Sequence, residues 1–214
     1  MKKTSLIVLA LTASAWLPAQ AALATDAAQI LDPTLIDFDS YDGLITTGPE
    51  ALGGGITFFG DAGSELGANI RDLGDNGVWG VGRMFAAGGF DSAVMFPELR
   101  FQFDGTRRGA GAYVNHFASV GMPFAVAVTA FGMAGQVLET YTVPVATGVD
   151  SYNAGLFIGI TRSQADIHAL SFRGTGVVLD DLHVTAVPEP GTTAMLLAGL
   201  GAVGLLARRR MPRG

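Results

Sequence analysis

The chain is 214 residues long, 49% hydrophobic and 15% charged, which suits one ordinary domain with short extensions and excludes a disordered acidic chain. It contains no cysteine, so disulfide staples, thiolate metal sites and cysteine nucleophiles are all excluded. Residues 25–187 carry seven arginines against 18 acidic residues, a formal net charge of −11, which disfavours nucleic acid and anionic lipid as partners.

The N-terminus opens Met1-Lys2-Lys3, followed by an apolar run from Leu6 to Trp16 and then Pro18. Two small-residue sites come next, Ala19-Gln20-Ala21 and Ala22-Leu23-Ala24. A basic start, a short apolar stretch and an A-x-A end are the parts of a secretory signal peptide. The run, about 11 residues, is short for a bilayer span. Residues 1–24 are therefore expected to form a signal helix, removed by signal peptidase after Ala21 or Ala24 as the secretion machinery exports the chain.

Between the ends, residues 25–187 read as strands. Glycine is abundant, 30 of 214 residues, and it separates short runs rich in Val, Phe, Ile and Thr. The expected strands are Leu35–Asp39, Ile56–Phe59, Ala93–Phe103, Ala112–Phe117, Phe124–Phe131, Val137–Val143, Ala154–Ile160, Ile167–Phe172 and Val177–Val184. Short strands with Gly, Asp or Pro between them point to a β-sandwich or barrel. Ala62–Asp72 is expected as a short helix or an irregular loop. In Leu99-Arg100-Phe101-Gln102-Phe103 the apolar residues share one face and Arg100 and Gln102 the other. Ala125–Phe131 is apolar enough to be buried on both sides. Val137, Glu139, Tyr141 and Val143 share a face, on which Glu139 is a misfit. Phe131–Gln136 joins these last two strands as a hairpin. The opening Ile36-Asp37-Phe38-Asp39, the Val-rich hairpin over 124–143 and the closing Ile167–Phe172 and Val178–Val184 strands resemble bacterial jelly-roll modules of the carbohydrate-binding or galactose-binding-like kind.

Acidic side chains are the abundant ionisable type. Strict alternation puts Asp180 on one face with Val178, Leu182 and Val184, pointing inward, where a carboxylate needs a partner. If the first and last strands pair, Asp37, Asp39 and Asp42 approach Asp180, and Asp37, Asp39, Asp180 and Asp181 are the candidate set for a structural calcium ion. The alternative is that Asp180 accepts main-chain amides at a turn or bulge. A second group, Asp61, Glu65, Asp72 and Asp75, lacks the spacing of a calcium-binding loop, and Asn76-Gly77 marks a turn instead. Four glutamates in this region, Glu50, Glu65, Glu98 and Glu139, form no evident pair for glycoside hydrolysis. There is no G-x-S-x-G, and His116, His168 and His183 lack metal-binding spacing, although His168 and His183 are placed to meet across strands. No catalytic residue is expected. Glycan binding asks for exposed aromatics, for which Trp79 and Tyr152 are the candidates.

The C-terminus reads Val187-Pro188-Glu189-Pro190, then 16 uncharged residues from Thr192 to Ala207, then Arg208, Arg209 and Arg210. As a helix the run would be roughly 24 Å long, somewhat under the ~30 Å of a bilayer's hydrocarbon core. Gly199, Gly201 and Gly204 match G-x-G-x-x-G, but no strand precedes them, so a dinucleotide site is not implied. A Pro-Glu-Pro motif, an apolar transmembrane-like helix and a basic terminus resemble the PEP-CTERM sorting signal of Gram-negative bacteria. That resemblance implies an exosortase-type membrane protease as partner, passing attachment to the inner membrane through the tail, and release to the cell surface or outside. It also implies an association with exopolysaccharide and biofilm.

The expectation is then an all-β protein in three parts: signal peptide 1–24, one jelly-roll-like sandwich of about eight or nine strands over 25–187, and a sorting tail over 188–214. A signal helix and a transmembrane-like helix would flank the sandwich. Its expected role is structural or adhesive and not enzymatic. A carbohydrate-binding module for exopolysaccharide is the first alternative, and an extracellular glycan hydrolase the second.

Overall fold

The computed structural model describes residues 20–68, 84–89, 94–116, 124–145, 155–186 and 199–200. Among them are fourteen strands. The first seven are short: β1 (Ala21–Ala24), β2 (Pro33–Ile36), β3 (Leu44–Ile45), β4 (Glu50–Gly53), β5 (Ile56–Gly60), β6 (Glu65–Ala68) and β7 (Phe85–Ala87). Longer ones follow: β8 (Glu98–Arg107), β9 (Gly109–His116), β10 (Phe124–Phe131), β11 (Val137–Val145), β12 (Leu156–Arg162), β13 (Ile167–Arg173) and β14 (Val177–Thr185).

They form two antiparallel sheets. One has six strands in the order β11-β10-β13-β8-β5-β4. The other has eight, β1-β12-β9-β14-β7-β6-β3, with β2 sharing an edge of β14 with β7. β7 pairs with Val178 and Leu179, and β2 with Leu182 through Thr185, so the opening and closing strands do pair. From β8 onward the chain changes sheets at almost every connection, and each strand turns alternate residues toward a shared interior. Phe101 lies at its centre, with the rings of Phe38, Phe58 and Phe172 at 6.2, 5.7 and 6.4 Å. Burying one such side chain is worth about 1.5–3 kcal/mol.

All nine expected strands are present, with ends shifted by their local chemistry. β8 starts only after Pro97, which has no amide to donate to a ladder. β2 stops at Ile36 because Phe38 takes a left-handed backbone (φ 58°) that tucks its ring under Phe101. The hairpin over 132–136 closes through Gly132 N–H to Gln136 O at 2.9 Å, with Gly135 at φ 77°.

Several expectations are corrected. Among the described residues strands number fourteen and not eight or nine, because β1, β3, β4, β6 and β7 have two to four residues, too few to display a period. Glu65–Ala68, expected as helix or loop, is strand β6. β10 is not buried on both sides: Val126, Val128 and Ala130 face the core, while Ala127 and Thr129 are half-buried and Ala125 is exposed. Asp180 does not share the inward face. A bulge at Asp180–Leu182, with Asp181 at φ 48°, puts Leu179, Leu182 and Val184 in the core and Asp180 on the opposite face.

The flanking helices are also corrected. Helical structure among the described residues is a 3₁₀ turn at Ala27–Gln29 and residues 199–200, and no helix there is long and apolar enough to cross a membrane. Ala21–Ala24, assigned to the signal helix, is instead strand β1. Residues 1–19, and the tail apart from 199–200, lie outside the described residues.

Candidate binding surface

The outer face of the six-stranded sheet presents a mixed surface. Strand register aligns Phe59, Arg100, Ser171, Thr129 and Thr140 in one row across five strands. The next row is Thr57, Gln102, Ala169, Phe131 and Val137. β13 contributes only the small Ala169 and Ser171 here, so the Arg100 side chain lies across it, its guanidinium carbon 4.3 Å from the Phe131 ring centroid. The Thr129 and Thr140 hydroxyls are 3.1 Å apart. Aromatic, guanidinium and hydroxyl groups on one sheet face supply ring stacking together with hydrogen-bond donors and acceptors.

A second polar cluster occupies the open side between β11 and β12. Arg162 grips Asp166 with two bonds, 2.6 and 2.9 Å, and its third nitrogen is 3.9 Å from Glu139. The Glu139 misfit is thereby explained: it faces inward at an edge strand, opposite Ala130, where Arg162 of the other sheet meets it. The arginine's pKa is raised chiefly by its bond to Asp166. Burial, then the Glu139 carboxylate, raises Tyr141 above the ordinary phenol value. Beside this cluster lies a cleft of about 500 Å³ lined by Gln29, Asp32, Arg108, Thr161, Arg162 and Thr185 among others.

On the outer face of the eight-stranded sheet, Gly111 and Gly159 pair directly and leave a trough for the Phe157 ring. Tyr113 and His183 meet Phe157 edge-on, at 5.3 and 5.5 Å between ring centroids. His183 Nδ1 is 2.7 Å from the Asp181 carbonyl. His168 and His183 do not meet as a cross-strand pair, because β13 and β14 belong to different sheets.

Of the four proposed calcium ligands, Asp37, Asp39, Asp180 and Asp181, the first three each accept a main-chain amide through the side chain. Asp37 accepts from Asp39 N–H (3.2 Å), Asp39 from Met84 N–H (2.9 Å) and Asp180 from Asp181 N–H (2.7 Å). Among the described residues no three Asp, Glu, His or Cys side chains converge to hold a metal ion. Trp79, Tyr152, Pro188, Glu189, Pro190, Arg208, Arg209 and Arg210 lie outside the described residues. Sequence reading passed over Phe59 and Phe131. The signal lay in Arg100 and Gln102 alternating outward, but only the strand order shows which aromatics join them.

Residues 186–210 match the PEP-CTERM protein-sorting motif. No curated protein matches the chain in sequence. Among solved structures it is similar to the Clostridium thermocellum N-terminal endo-1,4-β-D-xylanase 10B, its CBM22-1–GH10 modules complexed with xylohexaose, at 14% identity and a TM-score of 0.31. That likeness covers 74% of this chain and 28% of the other, and at so low a score it carries no argument. The chain is thus a PEP-CTERM-bearing exported protein built on an all-β, two-sheet fold, and the motif implies processing by an exosortase-type system.

Proposed function

We propose that this exported protein has an adhesive, non-enzymatic role at the cell surface or in the extracellular matrix, and that it makes contact through the outer face of its six-stranded sheet. The observation that carries this reading is the Arg100–Phe131 stack on a face that also carries the paired Thr129 and Thr140 hydroxyls. An open sheet face of this composition suits repeated weak contacts along an extended polymer better than capture of a small molecule, which asks for a concave pocket. The same stack favours, as a second reading, a carbohydrate-binding module for exopolysaccharide, since sugar rings offer C–H faces to aromatics and hydroxyls to arginine and threonine. A hydrolase has less support. Glu50, Glu65, Glu98 and Glu139 stand on four different strands, with Glu98 opposite Arg173 and Glu139 near Arg162.

The test is cosedimentation of the exported protein with exopolysaccharide from a producing strain, comparing wild type with an Arg100→Ala, Phe131→Ala double variant that melts cooperatively. Saturable binding weakened at least tenfold in the variant supports the glycan reading. Binding unchanged by the substitutions removes this face from the proposal. No glycan binding, with cell adhesion still lost in the variant, supports adhesion to a protein partner through the same face.

A further inference from the structure

We propose that the leader is removed between Ala21 and Ala22, so that the mature chain begins inside strand β1. Both Ala19-Gln20-Ala21 and Ala22-Leu23-Ala24 present the small residues that a signal peptidase reads, and the sequence does not choose between them. The fold does. Ala22, Leu23 and Ala24 pair with Thr161, Ile160 and Gly159 along the outer edge of β12. Leu23 packs against the main core, while Ala24 is fully buried with Ile30 and Phe157.

A cut after Ala24 would strip all of this away. It would open a gap beside Phe157 and leave the β12 edge unpaired over Gly159, a residue with no side chain to shield its own main chain. A cut after Ala21 costs much less. It forfeits the pairing of Ala21 with Arg162 and two hydrogen bonds between Gln20 and Ser163, at 3.1 and 3.0 Å, all at an exposed corner. The new ammonium group falls on Ala22, which is exposed and carries it in water at no desolvation cost. Order of events points the same way. The peptidase acts on an extended chain, and once β1 docks, the buried Ala24 is withdrawn from reach.

The test is intact mass and N-terminal sequencing of the exported full-length protein, alongside an Ala19→Leu variant that spoils only the first site. We expect a mature chain starting at Ala22, and in the variant either uncleaved precursor or a residual product starting at Thr25 that melts at a lower temperature than wild type. A wild-type chain starting at Thr25, or normal processing of the Ala19→Leu variant, overturns the proposal.

Discussion

Arg100 and Phe131 stack with the guanidinium carbon 4.3 Å from the ring centroid, although a whole strand separates their backbones. The contact exists because β13 presents alanine and serine where it passes between them. A double-mutant cycle with Arg100→Ala and Phe131→Ala, followed by denaturant unfolding, should return a coupling of about 0.5–1 kcal/mol. Replacing Ala169 by Leu should abolish that coupling, since the larger side chain fills the passage.

Gly111 has no room for a methyl group. A Cβ there would stand 2.7 Å from the Phe157 ring and 2.8 Å from the Gly159 Cα. Gly111→Ala is expected to cost about 1–3 kcal/mol in chemical denaturation. Combined with Phe157→Ala, the loss should be less than the sum of the two, because the ring it strikes is gone.

Tyr141 sets an alkaline limit. Its folded pKa lies above the unfolded value of 10.0, first through burial and then through the Glu139 carboxylate. The fold favours the neutral phenol, so this stabilisation is complete below the unfolded pKa and is lost as pH rises through the folded one. Melting temperature should therefore fall more steeply above pH 10 in wild type than in Tyr141→Phe, measured by a pH series of thermal melts.

Asp39 is predicted to act as an acceptor for the Met84 amide and not as a metal ligand. Asp39→Ala should cost about 0.5–1.5 kcal/mol, the worth of one hydrogen bond. A chelator should leave the wild-type melting temperature unmoved. A drop of several degrees on chelation would reinstate a bound cation among these aspartates.

What could be read in advance follows from how far each signal extends along the chain. Leu99, Phe101 and Phe103 announce β8 because several alternating residues make a period visible. Two-residue β3 cannot do so, and β1 is hidden by alanines that read equally well as the end of a leader. Strict alternation misplaces Asp180, since one left-handed residue, Asp181, reverses the face of everything before it. The Glu139 misfit is local in sequence, yet its explanation, Arg162, arrives from the other sheet. Arg100 was legible as an outward residue, and its partner was not, because strand order is a property of the whole fold.

Arg162 and Thr161 border both the 500 Å³ cleft and a neighbouring recess lined by Gln20, Ala21 and Ala22. The same cleft is bordered by Ala186, whose amide reaches the Asp32 carbonyl at 3.3 Å where the sorting motif starts. Entry and exit of the sandwich thus share one pole. A molecule held by its tail would hang like a lantern from a single hook, with the β13–β14 turn at Gly174–Gly176 at the opposite pole. Attachment through the tail would leave that far pole and the outer faces of both sheets open to contact.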